Sequence, residues 1–169
     1  AVASLAAPSV FAQGRPEKSK VAIAVGGKAS FYYLPLTIAE QLGYFKAEGL
    51  DVEISDFAGG SRALQALVGG SADVVNGAYE HTINMQSRKQ NFQAFVLMGA
   101  APQISVGISS KLAEKYKSPK DLKGLKVGVS APGSSTNMVI NYVLAQGGLK
   151  PTDVAIIGVG QGATVIAAM

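Results

Sequence analysis

Four short turns carry the residue types that could hold a small molecule. They are Ser30-Phe31-Tyr32-Tyr33, Gly59-Gly60-Ser61, Gly77-Ala78-Tyr79-Glu80 and the run Ser130 to Thr136. Each follows an apolar stretch and stands directly before a helical pattern. The chemistry they offer is capture rather than turnover. The first amide groups of a helix have no partner inside it, and the positive end of the helix dipole lies behind them. An oxyanion can be held there without Arg or Lys. Ser61 and the run Ser134-Ser135-Thr136 add hydroxyl donors, while Gly60 and Gly133 let the backbone approach closely. Each serine keeps two readings: it caps its helix, or it caps and also touches the solute.

The other candidates divide in the same way. Ser30, Phe31 and Tyr32 either wall a pocket, with apolar area and a hydroxyl, or pack on the surface. Tyr79 and Glu80 open a helix. A carboxylate is favourable there by about 0.3–1 kcal/mol, and it could also pair with the ammonium of a zwitterionic solute. Gln103, after Pro102, is a candidate for the floor of a cleft, and Gln161 is a lesser one. His81 is the only histidine. Without a second His or a Cys at ligand spacing it does not argue for a metal, and it reads as packed or solvated.

No catalytic residue, cofactor or metal is called for. The phosphate-loop pattern GxxxxGK[ST] is absent. The run Gly158-Val159-Gly160-Gln161-Gly162 is G-x-G-x-G, not the dinucleotide fingerprint. One histidine supports no Ser-His-Asp arrangement.

These turns need strands to deliver them and helices to receive them. Lys20 to Val25 reads as a strand. One helix is expected from Pro35 to Ala47, with Ile38, Leu42 and Phe45 on its buried face and Gly49 as a left-handed C-cap. Leu50 to Ile54 is a second strand. Ser61 is expected to cap a helix striped by Leu64, Leu67 and Val68, stopped by Gly69-Gly70. Ala72 to Val75, a helix from Tyr79 to Arg88 and a strand from Ala94 to Met98 follow. That β-α-β-α order argues for a mostly parallel sheet with helices on its faces.

The pattern changes at Ile104 to Ser109, a further strand with no helix before it. It must turn back or leave the sheet. Ser118-Pro119 is a plausible helix start. A second β-α-β-α series then runs through Lys126 to Val129, a helix Ser135 to Gln146 with Val139, Tyr142 and Val143 on one face, Val154 to Ile157, and a helical pattern from about Gly162.

Composition agrees with a globular protein rich in turns. Of 169 residues 48% are apolar and 20 are glycine, and no Cys is present, which leaves disulfides and thiolate metal sites out of this stretch. The charge of +4 is mild, and aromatics do not interleave with the basic residues, so no nucleic-acid partner is expected. The segment AVASLAAPSVFAQG resembles the end of a secretory signal with cleavage after Ala12, or else an apolar tail.

Three stretches, FYYLPLTIAEQLGYFKAEGLDVE, GGSRALQALVGGSADVV and SPKDLKGLKVGVSAPGS, resemble solute-binding proteins of ABC importers. The nearest branch serves taurine, alkanesulfonates, nitrate and thiamin-pyrimidine precursors. The resemblance spans about Lys20 to Met169. It implies a two-lobed α/β fold of the periplasmic-binding-protein type II, with lobe one nearly complete and lobe two partial. The expected division is a leader at 1–19, lobe one at 20–104, a crossing strand and linker at 105–125, and the start of lobe two at 126–169. It further implies export to the periplasm or cell exterior, an anionic or zwitterionic small-molecule solute, and delivery to a membrane permease. Two rivals share the fold: an enzyme of thiamin-pyrimidine-precursor synthesis, and the sensing lobe of a receptor. The enzymes are expected to carry a Cys-rich iron motif, which these residues lack.

Overall fold

The computed structural model describes residues 16–168; the expected leader and its cleavage point at Ala12 lie outside them. Two parallel sheets form. Strand β1 (Lys20–Val25) stands between β2 (Asp51–Asp56) and β3 (Val74–Asn76), in the order β2-β1-β3. Its register runs from Lys20 opposite Asp51 to Val25 opposite Asp56, and from Ile23 opposite Val74 to Val25 opposite Asn76. The second sheet pairs β4 (Lys126–Val129) with β5 (Ala155–Gly158).

Alternation along β1 sorts the first lobe into two faces. Ile23 and Val25 pack with Tyr33 and Leu36, and Val52, Ile54 and Val74 lean on that cluster. Ala24 points the other way, onto Ala63, Ala66 and Ala72. Helices cover both faces: α1 (Leu34–Gln41) with the short α2 (Tyr44–Ala47), then α3 (Gly60–Val68), and α4 (Glu80–Ser87) follows β3. Past α5 (Ser110–Ala113), the second lobe packs α6 (Ser135–Gln146) on β4 and β5 through Leu122, Val129, Ile140, Leu144 and Val154. A last helix, α7, spans Ala163–Ala168. No helix of the described residues is long and apolar enough to cross a membrane.

Several expectations are corrected. The helix expected from Pro35 to Ala47 breaks at Gly43, whose φ of +73° is left-handed. Ile38 and Leu42 are exposed, and Leu36 takes the buried place with Tyr33. On α3 the buried contacts are Ala63 and Ala66, because small side chains let that helix lie close on the sheet; Val68 is exposed. On α6 the buried face is Ile140 and Leu144, one turn apart, and Tyr142 faces solvent. Gly49 is left-handed as expected, at φ +75°.

The strands expected at Ala94 to Met98 and Ile104 to Ser109 do not form. The chain from Gln90 to Ser109 carries no helix or strand, and Phe95, Val96 and Leu97 are exposed, Leu97 by 82%. Their β-branched and aromatic residues favour extended backbone, but a strand also requires a neighbour to hydrogen-bond, and none lies beside them among the described residues.

Candidate functional site

The three-stranded sheet fixes where a site can be. From central β1 the chain goes first to β2 on one side and then to β3 on the other. The strand order reverses between β1 and β3, the switch point beyond whose C-terminal ends an open α/β sheet binds its ligands. Around it stand the turn after β1, the start of α3 and the start of α4.

Helix α3 enters this edge with little side chain around it. Gly59 is its N-cap and offers no side-chain hydrogen bond. Ser61, expected to be the cap, is instead the second residue of the helix. A Cβ on Gly26 would overlap the backbone of Gly59 and Gly60, so β1 and α3 approach backbone to backbone. One on Gly59 would stand 3.0 Å from both the Ala131 Cβ and the Ser134 Oγ. The second lobe thus presses directly on the start of α3.

Ser134 holds the N-cap position of α6, is fully buried, and makes no cap bond to its own helix. Its Oγ accepts the Ser61 N–H at 3.1 Å. An N-cap side chain normally accepts from the second or third amide of its own helix. Here Ser134 does so for α3, across the interface between lobes. Ser61 Oγ donates to the Pro132 carbonyl at 2.9 Å and lies 3.1 Å from Ser134 Oγ. Thr136 Oγ1 accepts the Ser130 N–H at 3.0 Å and pairs with Ser130 Oγ at 2.8 Å. A second bridge joins Gln161 Nε2, donating to the Gly26 carbonyl.

The structure therefore brings Gly60, Ser61, Ser134, Ser135 and Thr136 into one neighbourhood. Beside it lies a cavity of about 520 Å³, lined by Gly27, Asp56, Phe57, Val159, Gln161 and Thr164 among others. Gln161 is the only sequence candidate among its lining residues. Asp56, which accepts the N–H groups of Gly27 and Lys28 at 2.8 Å each, carries no local sequence signal for a site; the β1–β2 pairing alone brings it there.

The remaining candidates scatter along the edge. Ser30 Oγ accepts the Tyr32 N–H at 3.3 Å and so caps the turn. Phe31 is 87% exposed, Tyr79 is exposed, and Tyr32 is half-buried against Tyr33, with ring centroids 5.0 Å apart in a T shape. Gln103 is exposed, with a left-handed φ of +50°, in the segment without strands.

His81 sits under the start of α3, with Nε2 3.0 Å from where a Cβ on Gly60 would stand. His81 is 4% exposed and its Nε2 has no hydrogen-bond partner among the described residues; Glu80 Oε1 and Asn76 Nδ2 are likewise buried and unpartnered. Burial holds the His81 imidazole below its ordinary pKa, with the Glu80 carboxylate opposing. Burial pushes the Tyr33 phenol up to about 12, helped by Tyr32, Glu80 and Asp56. Tyr32 is raised as well, by burial and then by Glu80.

The sequence profile described as NMT1/THI5 like matches residues 30–169. A solved structure from Bordetella bronchiseptica RB50 is 64% identical with a TM-score of 0.87, over 89% of this chain and 48% of its own length. The alkanesulfonate-binding protein SsuA from Xanthomonas axonopodis pv. citri, solved bound to MOPS, is 22% identical with a TM-score of 0.60, over 90% of this chain and 51% of its own; that likeness shows the fold alone. A protein of Brucella abortus (strain 2308), named as a candidate binding protein, is 31% identical over 140 residues, 81% of this chain and 41% of its own. The 4-amino-5-hydroxymethyl-2-methylpyrimidine phosphate synthase of Schizosaccharomyces pombe is 24% identical over 84% of this chain and 40% of the synthase. The chain spans about two fifths to one half of the length of each of these four proteins.

Proposed function

The chain belongs to the NMT1/THI5-like family, and we propose that it is part of an extracytoplasmic solute-binding component of an ABC importer. In this reading a small oxyanion is captured between the lobes and handed to a membrane permease. Lobe one spans about 20–104 and lobe two begins near 126, with 105–125 connecting them.

The observation that carries the reading is the meeting of the α3 and α6 N-termini, where Ser134 Oγ accepts the Ser61 N–H. A hydroxyl oxygen already occupies an acceptor position at the start of a helix. A sulfonate or nitrate oxygen asks for the same position, with the dipole of α3 behind it. Ser61, Ser134, Ser135 and Thr136 supply the hydroxyls, Gly60 the close backbone, and Phe31, Tyr32 and Tyr79 the aromatic wall, with Ser30 capping the turn that carries the first two. Gln103, at the end of lobe one, contacts solute only when the lobes close. Sulfonate heads the list of solutes because the Xanthomonas neighbour is named for binding it.

The test is thermal denaturation of the whole protein with alkanesulfonates, taurine, nitrate and pyrimidines. A true solute raises the melting temperature with concentration, equivalent to about 2.7 kcal/mol at a hundred times its Kd. If all are silent while a nucleotide or metal stabilises the protein, oxyanion capture is wrong. Conversion of a pyrimidine precursor would replace binding by synthesis.

A further inference from the structure

We propose that the lysine-rich end of the second lobe is a docking surface for an anionic membrane, which it meets through lipid phosphate headgroups. That end lies away from the starts of α3 and α6, and docking there leaves them free.

Five exposed lysines gather there: Lys117, Lys120, Lys123, Lys126 and Lys150. Contacts between their segments bring them together. A Cβ on Gly147, just past α6, would stand 2.8 Å from the Pro119 backbone and 2.9 Å from that of Lys120. The Gly124 N–H donates to the Asp153 carbonyl at 2.7 Å, and Lys126 stands opposite Ala155 in the sheet. This end is therefore built from the starts of β4 and β5 and the finish of α6. Ser134 stands at the other end of α6, a 12-residue helix about 18 Å long. The acidic groups of these segments, Asp121 and Asp153, are turned to backbone. Asp121 Oδ2 accepts the backbone N–H groups of Lys117 and Ser118 at 2.8 and 2.7 Å, and Asp153 Oδ2 accepts that of Lys150 at 2.7 Å. Among the described residues neither carboxylate forms an ion pair with an ammonium.

Charge without apolar surface selects the partner. Protein interfaces have an apolar centre, but over 117–126 and 144–155 no large apolar side chain is exposed. No arginine stands there either, so the planar fork that grips one phosphate in two places is missing. Lysines are point charges on flexible stems, suited to a diffuse layer of headgroups. A cluster of about four to eight basic residues is the size that an anionic bilayer attracts. Nucleic acid is the poorer fit, since no exposed aromatic ring lies among these lysines to stack on bases.

The experiment measures cosedimentation of the whole protein with two kinds of vesicle at about 0.05 M salt. One is phosphatidylcholine alone; the other contains about one third phosphatidylglycerol. The expected result is binding to the anionic vesicles only, lost at about 0.5 M salt. Each lysine near the surface contributes about fivefold in affinity, so the triple variant Lys120→Gln, Lys123→Gln, Lys150→Gln binds about a hundredfold more weakly. A control triple variant, Lys20→Gln, Lys46→Gln, Arg88→Gln, removes the same charge from the first lobe and keeps its affinity within about threefold. If the first triple variant does not fold, Lys120→Gln and Lys150→Gln taken singly each lose about fivefold. Failure to bind anionic vesicles, equal binding to neutral ones, or equal losses in the two triple variants overturns the proposal. Tighter binding of a DNA duplex than of the anionic vesicles assigns the lysines to nucleic acid and overturns it as well.

Discussion

Helices α3 and α6 begin within hydrogen-bonding distance of each other, yet they prepare their first turns differently. The start of α3 is bare. Gly26, Gly59 and Gly60 crowd it with backbone, and no side chain of its own caps it. The start of α6 is dressed with hydroxyls: Ser130 and Thr136 bond each other, Ser134 bonds outward to Ser61, and Asn137 Oδ1 accepts the Gly133 N–H at 2.9 Å. The bare terminus takes its acceptor from the dressed one. The lesson is that a helix start left uncapped within one lobe is free to be completed by another lobe or by a solute.

The strongest way to break this comparison is to remove the bareness. Gly26→Ala puts a Cβ into the backbone of Gly59 and Gly60, which no rotamer change relieves. We expect a loss of about 1–3 kcal/mol or more in urea denaturation, as for overpacking of a close-packed site. An unchanged midpoint would mean that the approach of β1 to α3 is loose.

A smaller effect tests the exchange of caps. Ser134→Ala removes the oxygen that the Ser61 N–H uses, and a single hydrogen bond of this kind contributes about 0.5–1.5 kcal/mol. The loss should shrink when a tight-binding solute is present, because its oxygen takes over the acceptor role. Equal loss with and without solute would show that Ser134 acts only in packing.

The third test separates the two termini by pH, and its effect is the smallest. His81 lies under α3, whereas the hydroxyl groups at α6 do not titrate between pH 5 and 8. Burial depresses the folded-state pKa of His81 below its ordinary value of 6.5. The unfolded chain then binds the proton first, so stability is fully present above about pH 6.5 and declines as pH falls below it toward the folded pKa. His81→Gln should flatten that decline in melting temperature between pH 7 and 5. An identical slope in the variant would assign the sensitivity to other groups.

Much of the fold was legible along the chain. The spacing gives Lys20 to Val25, Lys126 to Val129 and Ser135 to Gln146 the bounds the structure has, because a glycine or serine follows each. The buried faces were less legible. Leucine and isoleucine were expected inside on α1 and α3, but the sheet surface admits Ala63 and Ala66 there and leaves Ile38 and Leu42 outside. Helical spacing reveals that a stripe exists, not which stripe a neighbour covers. The segment around Phe95 shows the complementary limit, since apolar and β-branched residues specify an extended chain but not the strand that must lie beside it.

The candidate site divides along the same line. Residue types alone marked Gly60, Ser61 and Ser134 as helix starts able to meet an oxyanion, since that depends only on local backbone chemistry. Which helix Ser134 would serve, how Asp56 came to hold the turn after β1, and why Glu80, His81 and Asn76 end buried without partners were decided by packing. Those contacts join residues far apart in sequence, from 29 positions for Asp56 and Gly27 to 73 for Ser61 and Ser134. Short-range propensity carries no information at such separations; only the parallel pairing of strands and the closing of one lobe on the other could settle them.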